Sequence, residues 1–135
     1  MLRGIHHVGI AVKNLDEATQ NYKSALGVKV QSVHEVPDPG LRIAMLPVEN
    51  SIVELIQPTG TEGTIAEFIA SNGEGVNHIC FEVDDIKKEL AALSAKGIPL
   101  RDKESRQGVV GKIAFLSPEG MNGVTIELVE KTSAV

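Results

Sequence analysis

The chain contains two copies of one sequence pattern, separated by about half its length. The apolar run that carries His7 matches the run that carries His78, at an offset of 71 residues (78 minus 7). The run that carries Glu54 matches the run that carries Glu127, at an offset of 73 (127 minus 54). Because the matches occur in the same order and at nearly one offset, they indicate an internal duplication of a single supersecondary unit.

Each copy is predicted to begin with a strand and a helix. In the first copy the β-rich run 5–12 precedes Asn14, a residue type that caps helix N-termini, and Gly27 ends the helix as a left-handed C-cap. Asp85 and Gly97 take the same places in the second copy. The other predicted elements are strands at 28–33, 42–46, 51–56, 76–83, 113–116 and 123–129 and a short helix at 64–70.

The fold class predicted from this pattern is α+β, with two βαβββ modules in tandem. The modules are too small to be separate domains, so we expect a single domain over 1–135. Module one covers about 4–58, a connecting helix and linker cover about 59–75, and module two covers about 76–131. Each sheet is expected to pack one face under its own helix, which leaves the other faces to form a shared cleft.

Side chains alternate between the two faces of a strand, and this alternation sets apart one histidine and one glutamate in each module. His7 and His78 point away from the apolar residues that pack on the helices. Glu54 and Glu127 lie within apolar strands, where a carboxylate is unfavourable unless it is paired, protonated or bound to a metal. We therefore predict that these four residues hold one divalent ion. Two imidazoles and two carboxylates suit Zn, Ni, Co, Mn or Fe better than Mg or Ca.

Each of the four residues also has an ordinary structural explanation. A single strand histidine is usually a hydrogen-bonded core or surface residue, and a single strand glutamate usually faces solvent. The four occur as two matched pairs, and this favours the metal hypothesis over four separate structural roles.

Composition restricts the partners and the location. A net charge of −5 and few aromatic residues argue against a nucleic-acid partner. The single cysteine, Cys80, permits no disulfide within one chain and fits a reducing cytosol, so we expect a cytoplasmic protein. We expect no leader and no membrane association, because no apolar run approaches the ~20 residues of a membrane span.

Several longer motifs carry a resemblance to a known family. They are IHHVGIAV at 5–12, ALGV at 25–28, VELIQP at 53–58, GEGVNHI at 73–79, FEVDDI at 81–86, GKIAFLSP at 111–118 and NGVTIEL at 122–128. With these motifs the chain resembles the vicinal oxygen chelate (glyoxalase/bleomycin resistance/dioxygenase) superfamily over about residues 5–130. Within that superfamily it is similar to the methylmalonyl-CoA epimerase family.

The resemblance implies a half-barrel cleft and one divalent metal ion (Co, Zn, Ni or Mn) on His7, Glu54, His78 and Glu127. It also implies epimerisation of methylmalonyl-CoA by 1,1-proton transfer through a metal-stabilised enolate, with Glu127 as the first base and Glu54 as the second. Some epimerases carry a further catalytic glutamate at the place of Ile43, a residue that cannot move a proton. The assignment of the second base therefore stays open at this point.

Two other functions stay open as well. The same four ligands are those of metal-dependent glyoxalase I (lactoylglutathione lyase), so the ligand set alone does not separate the two enzymes. Other members of the superfamily bind small molecules or antibiotics without catalysis, although the bleomycin binders need no protein metal site.

The epimerase resemblance implies an acyl-CoA substrate and a homodimer. Because CoA is polyanionic and the chain is acidic, a CoA site must be locally basic. Arg106 and Lys112 are the candidate phosphate contacts, in a cluster that also contains Arg101 and Lys103. A solvated surface loop explains the same charges equally well.

Overall fold

The structure is a computed structural model, and it describes residues 1–132. The described elements are β1 (Leu2–Ala11), α1 (Leu15–Leu26), β2 (Ser32–Val36), β3 (Leu41–Val48), β4 (Ser51–Pro58), α2 (Thr64–Asn72), β5 (Gly75–Val83), α3 (Ile86–Ala95), β6 (Arg106–Gln107), β7 (Gly111–Leu116), a 3-10 helix (Pro118–Met121) and β8 (Thr125–Lys131). No helix in this part of the chain has the length and apolar character needed to cross a membrane.

Residue contacts divide the chain into two compact units. The N-terminal unit runs from His7 to Asn77. The C-terminal unit joins Met1–His6 to the segment that begins at His78. The boundaries fall inside β1 and β5, immediately before the two duplicated histidines.

The N-terminal unit contains strands in the order β2-β3-β4-β1, in which β1 runs parallel to β4 and the other neighbours are antiparallel. Helix α1 packs on β3 and β4. Its buried residues Leu15 and Ala18 meet Ala44, Leu46 and Leu55 in one apolar core. Burial of a leucine side chain contributes about 1.5–3 kcal/mol, so this core holds the helix against the sheet.

The C-terminal unit repeats this arrangement with strands in the order β5-β8-β7-β6, in which β5 runs parallel to β8. Helix α3 packs on β7 and β8, and Ile86 and Leu90 meet Ala114, Leu116 and Ile126 in a second apolar core. The predicted α+β class with two βαβββ modules is confirmed.

The two crossover helices begin and end where the sequence predicts. The Asn14 side chain accepts a hydrogen bond of 3.0 Å from a backbone N–H in the first turn of α1, and Asp85 accepts one of 3.1 Å in α3. Such an N-cap contributes about 1 kcal/mol. Gly27 and Gly97 follow the helices with φ of 70° and 77°, a left-handed conformation that favours glycine.

The strand predicted at 28–33 is wrong, because the corresponding strand β2 begins only at Ser32. The pairing of β2 with β3 sets Ser32 opposite Met45. Continued backwards, this register would set residue 30 opposite Pro47, which has no amide hydrogen to donate to a ladder. Most of the apolar run at 28–33 therefore precedes strand β2. The short strand β6 and the 3-10 helix were not predicted.

Gly111 provides a test of how tightly β7 and β8 are held. A Cβ added there would collide with the backbone carbonyl of Glu130, whereas one added at Gly60 would meet no atom within 4 Å. We expect Gly111→Ala to lower the free energy of unfolding by about 2 kcal/mol or more, because backbone atoms cannot move aside without breaking the ladder. Gly60→Ala is the matched control and should stay within about 0.5 kcal/mol of the parent. Urea denaturation measures both, and equal stabilities would contradict the close approach.

Candidate metal centre

The N-terminal unit brings His7 and Glu54 together on two neighbouring strands. In the parallel pairing of β1 with β4, Glu54 stands level with Gly9, two residues beyond His7. Because side chains repeat every two residues along a strand, the two side chains share one face. The Nε2 atom of His7 lies 3.5 Å from Oε2 of Glu54, and the residues are only 3% and 7% exposed.

The C-terminal unit contains the same construction. In the parallel pairing of β5 with β8, Glu127 stands level with Cys80, two residues beyond His78. The Nε2 atom of His78 lies 3.0 Å from Oε1 of Glu127, and these residues are 3% and 6% exposed. The duplication seen in the sequence therefore extends to the geometry of the two His–Glu pairs.

Apolar side chains flank both carboxylates on their other side. Met45 stands level with Glu54 in the pairing of β3 with β4, and Phe115 stands level with Glu127 in the pairing of β7 with β8. The Phe115 ring also meets the His78 ring edge to face, with centroids 5.6 Å apart and planes at 84°. In such surroundings a carboxylate needs a charged or hydrogen-bonding partner, and the neighbouring imidazole is one.

The donor chemistry of the two pairs fits a transition-metal ion. Imidazole nitrogen and carboxylate oxygen are the donors that Zn, Co, Ni and Mn take in proteins. Ile43 is buried on β3 and level with another isoleucine, Ile56. It has no group that could bind a metal or move a proton.

The two candidate phosphate contacts lie on the surface beside carboxylates. Arg106 donates to Oδ2 of Asp102 at 2.8 Å, and the Nζ atom of Lys112 lies 4.0 Å from Glu130. Both cations are exposed, as is Lys103. Exposed pairs of this kind contribute little to stability, so both side chains are able to turn to a ligand.

Arg101 is exposed like the other basic residues of its segment, but it lies closer to the Phe115 ring than Arg106, whose guanidinium is 5.6 Å from the ring centre. The Arg101 guanidinium lies 4.2 Å above the centre of the Phe115 ring, a cation–π contact. Desolvation by burial lowers the pKa of Arg101, and the positive charge of Arg106 adds to this shift. The carboxylates of Asp102 and Glu127 oppose it. Sequence reasoning grouped Arg101 with the loop cations and did not single it out. No periodic pattern connects it to Phe115, because it lies outside the regular elements.

Comparison with known proteins adds a family to this geometry. A family model for the Glyoxalase/Bleomycin resistance protein/Dioxygenase superfamily matches residues 6–116. The chain is 36% identical over 129 residues to the mitochondrial methylmalonyl-CoA epimerase of Dictyostelium discoideum, covering 94% of this chain and 78% of that protein. It is 35% identical over 131 residues to the ethylmalonyl-CoA/methylmalonyl-CoA epimerase of Cereibacter sphaeroides, covering 95% and 98%.

The fold matches a solved structure from the same group of enzymes. A variant of Streptomyces coelicolor methylmalonyl-CoA epimerase in complex with 2-nitronate-propionyl-CoA superposes with a TM-score of 0.93 at 33% identity. The match covers 98% of this chain and 96% of that one. The predicted resemblance to the superfamily and its glyoxalase-like fold are therefore confirmed.

Proposed function

Because this chain belongs to the glyoxalase/bleomycin resistance protein/dioxygenase superfamily, we propose that it is an isomerase that epimerises methylmalonyl-CoA. The observation that carries this proposal is the similarity to two curated epimerases along 94% and 95% of the chain. The reaction removes a proton from the carbon between the thioester and the carboxylate and returns it on the opposite face.

His7, Glu54, His78 and Glu127 would together hold one divalent ion. Each module supplies one buried imidazole and one buried carboxylate, and the two pairs have the same construction. Four such donors suit Co, Zn, Ni or Mn. A bound ion supplies positive charge that stabilises the negative charge developing on the thioester oxygen.

The chain itself supplies the groups that move the proton. Glu127 is the first base, and its apolar neighbour Phe115 limits competition from water. Glu54 is the second base, because it is the equivalent carboxylate of the other module. Ile43 cannot transfer a proton. Glu54 would therefore take the role that a separate glutamate has in some epimerases.

The CoA part of the substrate is polyanionic and needs local positive charge in a chain with a net charge of −5. Arg106 and Lys112 would contact its phosphates, since both side chains are more than half exposed. A homodimer and a cytoplasmic location complete the proposal, and both follow from the resemblance and the composition.

Replacement of Glu127 tests the assignment of the first base. We expect Glu127→Gln to slow the exchange of the substrate α-proton with D2O by about 100-fold or more, because the amide cannot accept the proton. Mass spectrometry of methylmalonyl-CoA after incubation in D2O measures this rate. Glu62→Gln, at an exposed glutamate, is the matched control and should keep the parent rate. Near-normal exchange in Glu127→Gln would contradict the role.

Removal of the metal tests the four-ligand site. We expect about one divalent ion per chain by elemental analysis and loss of activity after chelation, with recovery on addition of Co(II) or Zn(II). His78→Gln should weaken Co(II) binding by about 10-fold or more in calorimetric titration, because it loses an imidazole donor. His34→Gln, which alters a strand histidine bonded to Ser32, should bind Co(II) as the parent does. A chain that takes up no metal on reloading would support a binding protein instead.

A direct comparison of substrates separates the epimerase from glyoxalase I. With the same metal-loaded protein, we expect turnover of methylmalonyl-CoA and no comparable turnover of the hemithioacetal of methylglyoxal and glutathione. The reverse preference would reject the epimerase in favour of glyoxalase I, although the metal centre would be unchanged.

A further inference from the structure

Arg101 is held in a fixed position by Phe115. The Arg101 backbone N–H donates to the carbonyl oxygen of Phe115 at 3.1 Å, and its guanidinium lies 4.2 Å over the ring of the same residue. The carboxylate of Asp102, the next residue, accepts the Phe115 backbone N–H at 2.9 Å. These contacts attach the Arg101 segment to β7 from both its backbone and its side chain.

The positive charge of Arg101 is left unpaired by the protein. Within residues 1–132 its side chain makes no hydrogen bond and no ion pair. The neighbouring cations differ, because Arg106 is paired with Asp102 and Lys112 lies near Glu130. A guanidinium carries five N–H donors, so Arg101 keeps its full capacity to bind an anion while it lies over the Phe115 ring.

Phe115 also connects Arg101 to the proposed reaction centre. The ring that carries the guanidinium meets the His78 imidazole edge to face, and Phe115 stands level with Glu127 in the pairing of β7 with β8. Desolvation by burial lowers the pKa of Arg101, and the carboxylates of Asp102 and Glu127 both oppose this shift. The unpaired cation therefore lies on the ring that stands level with the proposed base. Arg106 lies over the same ring at 5.6 Å from its centre, but it is paired with Asp102.

We propose that Arg101 binds the free carboxylate of the acyl group and so selects malonyl-type CoA thioesters over thioesters that lack a carboxylate. This rests on the proposed function, because it assigns a role within the same site. A planar guanidinium matches a carboxylate with two parallel hydrogen bonds, and partial desolvation strengthens that pair. Proximity to Glu127 favours the acyl carboxylate over the CoA phosphates as the bound anion, since the proposed base must reach the α-carbon.

Binding of two CoA esters to the metal-loaded protein tests this assignment without requiring turnover. Malonyl-CoA carries the carboxylate, acetyl-CoA lacks it, and the rest of the molecule is the same. We expect Arg101→Met, whose thioether side chain can still pack on Phe115, to weaken malonyl-CoA binding by about 10- to 100-fold. Acetyl-CoA binding should stay within about twofold of the parent. Arg101→Gln should show the same selective loss and serves if the methionine variant does not fold.

Arg106→Met is the matched control on the same segment. It should leave the ratio of the two dissociation constants unchanged, because a phosphate contact affects both esters alike. Equal weakening of both esters in the Arg101 variants would assign Arg101 to the CoA moiety and overturn the proposal, and unchanged binding of both would also overturn it. If the parent fails to epimerise methylmalonyl-CoA, the proposed function fails, while the ester preference still reports on Arg101.

Discussion

The compensation of a buried carboxylate by a neighbouring imidazole is the interaction on which each module depends. A buried carboxylate that loses its hydrogen-bonding partner is strongly destabilising, because its charge has no water around it. Glu54 and Glu127 both lie in strand interiors among apolar residues. The strand of each glutamate pairs in parallel with the strand of a histidine, at an offset of two residues. The imidazole and the carboxylate therefore lie on one face, where the imidazole can act as the partner of the buried carboxylate.

The His–Glu pair of each module forms only if the two strands keep this register. A slip of one residue would turn Glu127 toward the helix-packing face and an aliphatic neighbour toward the site. Two features oppose such a slip in the C-terminal unit. Helix α3 packs its apolar stripe on β7 and β8, and Gly111 approaches the Glu130 backbone more closely than any other residue type permits. The same contacts that hold the sheet therefore also hold the His–Glu pair.

The duplicated elements were predictable because their signals are local and repeated. Asn14, Gly27 and Asp85 mark helix ends by side-chain chemistry or left-handed geometry, and the period of two placed each glutamate on the face of its histidine. The strand at 28–33 was mispredicted because the start of β2 depends on Pro47. That residue becomes a neighbour of the strand only after folding. Arg101 escaped notice for the same reason. Its environment is set by Phe115, a contact between an irregular segment and a strand that no sequence period encodes.

The two His–Glu pairs have the same construction, but their surroundings differ, as do the two ends of the proposed substrate's acyl group. The two His–Glu pairs have the same register, but Glu54 stands level with Met45 whereas Glu127 stands level with Phe115. Only the aromatic ring offers a face on which a guanidinium can stack, and Arg101 uses it. The duplicated scaffold therefore repeats one His–Glu pair in both modules, while one module alone acquires an unpaired positive charge. On the proposed reaction, that difference orients the malonyl group, because its carboxylate is attracted toward one of two otherwise equivalent bases.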